Sequence, residues 1–198
     1  MARGRVTRWI SPEVLLAGYA RGIFPMADEA TREIRWYSAD PRGILPLDAF
    51  RVPRSLRQLV RKGVFTVRVN TAFEDVVRGC AARDETWISE EIIQSYVRLH
   101  EFGHAHSVEA WQGETLAGGL YGVTLGGAFF GESMFTVVTG ASKVCLVFLV
   151  ERLRERGFSL LDTQFVTPHL AGFGAKEVPR AEYLALLAAA IDRTASFV

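Results

Sequence analysis

The stretch HSVEAWQGETLAGGLYGVTLGGAFFGESMF, His106 to Phe135, decides the fold class. His106–Trp111 alternates, and Gln112-Gly113 is a turn signal. Thr115–Val123 and Ala128–Phe135 read as further strands, with Gly126-Gly127 between them. Three such runs predict an antiparallel meander. Just downstream, Ala141–Arg156 puts Leu146, Leu149, Val150 and Leu153 at i, i+3, i+4 and i+7, the apolar face of a long helix. Leu160–Phe165 reads as a buried strand, and Thr167-Pro168 caps a short helix. Val178 sits in a strand-like piece, and Arg180–Ile191 is a closing helix.

Upstream, Ser89-Glu90-Glu91 opens a helix that runs to Phe102 and stops at Gly103. Val64–Val69 is a strand, and Thr71–Cys80 a helix capped by Asn70. Arg54–Lys62 is a short helix closed by Gly63. Ser11-Pro12-Glu13 starts a helix with a capping hydroxyl, a first-turn Pro and an acid, and Gly22 ends it. Ile23–Met26 reads as an apolar turn, and Trp36-Tyr37 and Gly43–Pro46 as short strand-like pieces. The expected organisation is a small N-terminal domain, residues 1–40, and an α+β domain, residues 41–198. A meander, a long helix, a strand and another helix resemble the N-acetyltransferase-like (GNAT-like) fold, a mixed sheet flanked by helices. That fold moves acyl groups onto amines, but a fold alone does not establish a function.

The 198 residues carry 23 Lys+Arg against 22 Asp+Glu, a net of +1, which speaks against a polybasic nucleic-acid binder. Residues 1–62 hold 12 basic and 6 acidic side chains, and the remainder 11 and 16. That asymmetry raises the question of a polyanionic partner, unless folding mixes the two halves again. Two cysteines build neither a disulfide framework nor a Cys-rich metal site, and their scarcity fits a reducing compartment. The first ten residues are basic with no apolar run behind them, unlike a signal peptide. The longest apolar runs have seven and nine residues, far short of the roughly 20 that span a bilayer. A soluble cytoplasmic protein without a membrane partner is the expectation.

His100-Glu101-Phe102-Gly103-His104 matches the zinc-protease pattern H-E-x-x-H literally. Gly103 falls where the helix ends, so His104 leaves the face that His100 occupies, and no metal is expected. Gly118-Gly119 and Gly126-Gly127 lack nucleotide-loop spacing, and no coenzyme A pyrophosphate loop is present. Glu132 lies in an apolar run, sharing a strand face with Phe130 and Met134 if the strand is regular. Burying it requires a cation or a hydrogen-bond donor, the cation being either an internal Arg or Lys143 or a substrate amine. Asp162 and Gln164 project together from a buried strand. They suit either a structural hydrogen-bond pair or the orientation of a nucleophilic amine. Arg54, Arg57 and Arg61 lie at i, i+3 and i+7, a face for phosphates or for water.

Taken in order, Gly22–Pro25, Ser38–Arg42, Thr86–Ile88, Leu99–Glu109, Gly118–Val123, Phe130–Phe135, Ala141–Lys143, Asp162–Gln164 and Gly174-Ala175 resemble the leucyl/phenylalanyl-tRNA–protein transferase family. The match runs from about Ser11 to about Leu187. The resemblance implies transfer of leucine or phenylalanine, and also methionine, from aminoacyl-tRNA to the N-terminal Arg or Lys of acceptor proteins, which marks them for degradation. It implies a catalytic pair in which Asp162 polarises Gln164, and an acid, Glu132, at the aminoacyl group. It also implies an aminoacyl pocket of Leu120, Phe129, Met134 and Leu161, stacking of the terminal adenosine on Trp87, and an acceptor stem held by Arg54, Arg57 and Arg61. Amide formation from an ester is downhill, so no cofactor is expected. A monomer is expected too. Met26 stands where many relatives carry Trp, and Thr136–Gly140 lacks a basic residue that relatives often have there. Three other readings stay open: an acyl-CoA-dependent N-acyltransferase, a non-catalytic RNA-binding module and a zinc protease.

Overall fold

The computed structural model describes residues 9–198. Arg3, Arg5 and Arg8 of the basic first third, with the rest of the first eight residues, lie outside the described residues. Helix α1 (Pro12–Ala20) starts as its sequence predicts, with the Ser11 hydroxyl accepting from the Val14 N–H at 3.4 Å. It ends at Gly22, whose φ of 72° suits a residue without a Cβ. Phe24–Met26 is a strand rather than a turn. Strands β1 (Phe24–Ala27) and β2 (Ile34–Tyr37) form a two-stranded antiparallel ribbon with Phe24 opposite Tyr37. Pro25 fits there because a two-stranded ribbon is all edge.

A seven-stranded mixed sheet carries the rest. It contains β3 (Arg42–Ile44), β4 (Thr66–Val69), β5 (Ala105–Gln112), β6 (Thr115–Leu125), β7 (Ala128–Thr136), β8 (Leu160–Gln164) and β9 (Lys176–Val178). The order is β4-β5-β6-β7-β8-β3-β9. The predicted meander is β5-β6-β7, and β4 extends it antiparallel. Only β7 and β8 pair in parallel, joined by the long crossover helix α5 (Ala141–Glu155). One face is covered by α1, α3 (Phe73–Ala81), α4 (Glu90–Glu101) and α7 (Arg180–Ile191), around Tyr96, Tyr121 and Phe130. The other is covered by α2 (Arg54–Arg61) and α5, around Leu120, Phe129 and Leu149. The one-turn helix α6 (Pro168–Ala171) follows β8. Leu15, Tyr19 and Phe24 of the N-terminal part are buried in the same core as α4 and β7. No helix of the described residues is long and apolar enough to cross a membrane.

Two local expectations are corrected. Helix α3 begins at Phe73, and Asn70 does not cap it. Asn70 sits at φ 59° with its side chain tied to β5, accepting from the Ser107 N–H at 3.0 Å. The turn that leads into α3 is held instead by Glu109, fully buried on β5, which accepts from the N–H groups of Thr71 and Ala72 at 2.8 and 3.0 Å, and no side chain caps the helix itself. The second correction lies in β7. Tyr121 pairs with Ser133 and Gly122 with Gly131, leaving Glu132 as the extra residue of a bulge. Alternation therefore resets: Phe130 packs in the α1/α4 core while Met134 packs against the α5 core, so the two do not share a face. Gly122 is required here, because a Cβ would collide with the Phe130 carbonyl.

Candidate active site

The ladder between β7 and β8 ends at Phe130–Asp162, yet β7 runs on to Thr136 and β8 to Gln164. A cavity of about 520 Å³ opens where the two strands part. Leu120, Met134, Leu146, Leu149, Leu161 and Leu170 give it an apolar wall on the α5 side. Glu132 and Gln164 supply polar groups, and Met26, Arg83 and Trp87 are also part of the lining. Among the expected pocket residues, Leu120, Met134 and Leu161 meet in this cavity. Phe129 does not. It is fully buried in the core, with its ring 5.4 Å from that of Phe197.

Glu132 is 9% exposed and accepts three hydrogen bonds. Tyr19 Oη and Gln164 Nε2 reach its Oε1 at 2.7 and 2.9 Å, and Tyr96 Oη reaches its Oε2 at 3.0 Å. The Tyr19 and Tyr96 hydroxyl oxygens also lie against each other. Burial pushes the Glu132 carboxyl up, the two tyrosines pull it down, and the outcome is about 7. Burial and the neighbouring carboxylate drive both phenols well above their ordinary value, so they remain donors. The partners left open by the sequence are thus tyrosines and an amide, not Lys143.

Asp162 is fully buried and saturated. Arg42, also fully buried, donates from Nε at 3.0 Å and from Nη2 at 2.7 Å, and its Nη1 donates to the Gly22 carbonyl at 3.0 Å. The guanidinium lies between the rings of Phe24 and Tyr183, 4.8 and 4.6 Å from their centroids. Burial opposes that charge, but the Asp162 bonds outweigh it and raise the Arg42 pKa. Tyr183 Oη and the Gln164 backbone N–H donate at 2.6 and 2.8 Å. Asp162 therefore holds the Gln164 backbone, while the Gln164 side chain serves Glu132. Gln164 sits at φ 60°, a conformation that costs a non-glycine residue about 1–3 kcal/mol and persists only where its surroundings enforce it. With its NH₂ committed to a carboxylate, its Oε1 is the free acceptor on the cavity wall.

Trp87 is half-buried in the lining, and Arg83 donates from Nη2 to Ser133 Oγ at 3.0 Å and to the Met134 carbonyl at 2.6 Å. Arg54, Arg57 and Arg61 are exposed on α2 and do not line this cavity. None of the three has an ion-pair partner among the described residues. The buried Thr163 Oγ1 and His169 Nε2, both on residues of the lining, are unpaired. His100 stacks on Phe73 at 4.2 Å with its Nδ1 against the Ala105 carbonyl, and His104 lies beyond Gly103, outside α4. Sequence reasoning passed over Arg42, Tyr19, Tyr96 and Tyr183. The one available signal was Arg42, a charge entering an apolar strand directly after Asp40-Pro41.

The family model for leucyl/phenylalanyl-tRNA protein transferase matches residues 44–188, and the model for that protein's N-terminal domain matches residues 9–40. The leucyl/phenylalanyl-tRNA–protein transferase of Herpetosiphon aurantiacus is 55% identical over 193 residues, 97% of this chain and 100% of the relative. That of Nitrobacter winogradskyi is 54% identical over 202 aligned positions, 100% of this chain and 90% of the relative. Among solved structures, L-PGS from Bacillus licheniformis aligns over 78% of this chain and 65% of its own, with a TM-score of 0.47 and 12% identity.

Proposed function

Because the chain belongs to the leucyl/phenylalanyl-tRNA–protein transferase family, we propose that it moves leucine, phenylalanine or methionine from aminoacyl-tRNA to proteins that begin with Arg or Lys, marking them for degradation, and that the cleft between β7 and β8 is the reaction site. The observation that carries this reading is the two-sided cavity: an aliphatic wall that takes an unbranched-β side chain, facing a buried carboxylate–amide pair that takes an amine.

The aminoacyl side chain enters between Leu120, Met134, Leu146, Leu149, Leu161 and Leu170, and the terminal adenosine stacks on Trp87. Such an apolar wall discriminates by shape, at about 1–3 kcal/mol per methylene-sized difference. The acceptor α-amine donates to Gln164 Oε1 and attacks the ester carbonyl. A C–N bond forms and the ammonium proton passes to Glu132. As the bond to the ribose oxygen breaks, Glu132 returns that proton to the departing oxygen, which leaves as a hydroxyl and restores the carboxylate. A neutral amide is a poor base, so Gln164 orients the amine, while a carboxyl near 7 is matched to accept its proton. Asp162 positions Gln164 rather than touching substrate. The barrier is lowered mainly by holding two substrates in register.

Several finer expectations belong to the same proposal. Arg54, Arg57 and Arg61 hold the acceptor stem. A monomeric state is part of the same proposal. Cys80 and Cys145 are buried free thiols pushed up to about 12 by burial, which suits a reducing cytoplasm. The division near residue 40 is supported by the ribbon ending at Tyr37 and the large sheet taking its first strand from Arg42. The deciding assay incubates the protein with leucyl-tRNA and an Arg-started peptide, without metal or ATP. A peptide heavier by one leucine residue is expected, and an unchanged peptide would overturn the reading.

A further inference from the structure

A second cavity, of about 400 Å³, adjoins the first, and His169 lines both. Its volume lies within the roughly 300–1,000 Å³ of small-molecule sites. Ser55 and Leu59 of α2, Thr139, Lys143 and His169 are among its walls. Lys143 is exposed and has no ion-pair partner among the described residues. His169 Nε2 is buried without a hydrogen-bond partner, a condition that calls for an explanation in a folded protein. The helix that supplies Ser55 and Leu59 also bears the exposed Arg54, Arg57 and Arg61. The second cavity therefore lies between the candidate reaction site and the candidate stem-binding helix.

We infer that this second cavity is a nucleotide subsite: it takes the residue that precedes the terminal adenosine on the single-stranded 3′ end of the donor, with Lys143 on the connecting phosphodiester and His169 hydrogen-bonded at the junction. The inference rests on the transfer reaction proposed above and adds a binding site to it. The strand must leave the first cavity in some direction, and charge selects this one. A third cavity, also about 400 Å³, shares Leu161 with the first, but Asp48 and Glu182 line it against a single Lys176. Two carboxylates repel a phosphodiester, whereas the second cavity presents a lysine and no acid. Burial and the nearby Lys143 lower the His169 pKa, so near neutrality its imidazole adds no second charge there.

The test compares two leucyl donors with one Arg-started peptide: leucyl-adenosine, which has no phosphodiester, and the leucyl ester of cytidylyl-adenosine, which has one. The dinucleotide donor is expected to have about tenfold higher kcat/KM in the wild type, the scale of one charged hydrogen bond. The ratio between the two donors should shrink toward unity in Lys143→Ala and be kept in Lys143→Arg. The salt dependence of the dinucleotide reaction should flatten by about 0.7 in log–log slope in Lys143→Ala. Equal kcat/KM for the two donors in the wild type, or a Lys143→Ala loss shared equally by both, overturns the subsite while leaving the transferase reading intact. No transfer from either donor or from leucyl-tRNA overturns both. Lys143 is exposed, so its substitution leaves the fold unchallenged, and a thermal midpoint equal to wild type checks that.

Discussion

Replacing Arg42 with methionine tests the network beneath the cleft. The guanidinium is fully buried, makes a two-point ion pair with an equally buried Asp162, and holds the Gly22 carbonyl that ends α1. Methionine keeps much of the length and the packing between Phe24 and Tyr183 but removes the charge. Asp162 is then left as a buried carboxylate with only the Tyr183 hydroxyl and the Gln164 N–H. Breaking a buried pair by removing one partner costs about 3–5 kcal/mol, against a total of roughly 5–15 kcal/mol for a folded domain. At about 2–4 °C per kcal/mol for a chain of this size, the thermal midpoint falls by roughly 6–20 °C. Urea unfolding of wild type, Arg42→Met, Asp162→Leu and the double variant measures the loss and its coupling. The double variant should regain much of the stability, because it strands no charge. It should still transfer poorly, since the Gln164 N–H has lost the acceptor that holds its φ of 60°. A loss below about 1 kcal/mol in Arg42→Met would refute the reasoning, because it would mean that the pair is solvated or already unmade.

Glu132→Gln should remove a pH limb. Transfer by the wild type is expected to rise as pH passes through about 7, and survival of the same limb in the variant would assign it to the acceptor amine instead. Stability runs the other way: a carboxyl raised above its ordinary 4.5 stabilises the native state fully below that pH, and this contribution is lost as pH rises through about 7. Glu132→Gln should flatten that decline, worth roughly 3 kcal/mol in urea titrations at successive pH values. Leu149→Phe narrows the aliphatic wall and should lower phenylalanine transfer relative to leucine by about tenfold, read from competing charged tRNAs, and an unchanged ratio would place the side chain elsewhere. Joint replacement of Arg54, Arg57 and Arg61 by alanine should weaken tRNA binding and flatten its log–log salt slope by about 2–3. An unaltered slope would make that helix face a solvated one.

Much of the fold was legible because its signals are local. The period of α5, the alternation of the meander and the Ser-Pro start of α1 each depend on neighbours in the chain, and each element formed within a residue or two of its expected place. The errors arose where a distant group intervened. Asn70 resembles a helix cap until β5 claims its side chain and Glu109 holds the Thr71–Ala72 turn ahead of the helix. Phe129 resembles a pocket residue until Phe197, near the C-terminus, packs on it. The face assigned to Met134 assumed a regular strand, and a bulge at Glu132 broke the alternation.

The sequence by itself determined the kinds of group available: an acid in an apolar run, an acid and an amide two residues apart, and three arginines on one helical face. Ordered motifs were enough to reach the family. Which group answers which was decided by the tertiary structure, because the partners are separated by 113 residues for Tyr19 and Glu132 and by 120 for Arg42 and Asp162. Spacing carries no information over such distances. The parting of β7 from β8 opens the candidate reaction cavity, and burial makes a carboxylate there take the partners that set its proton affinity.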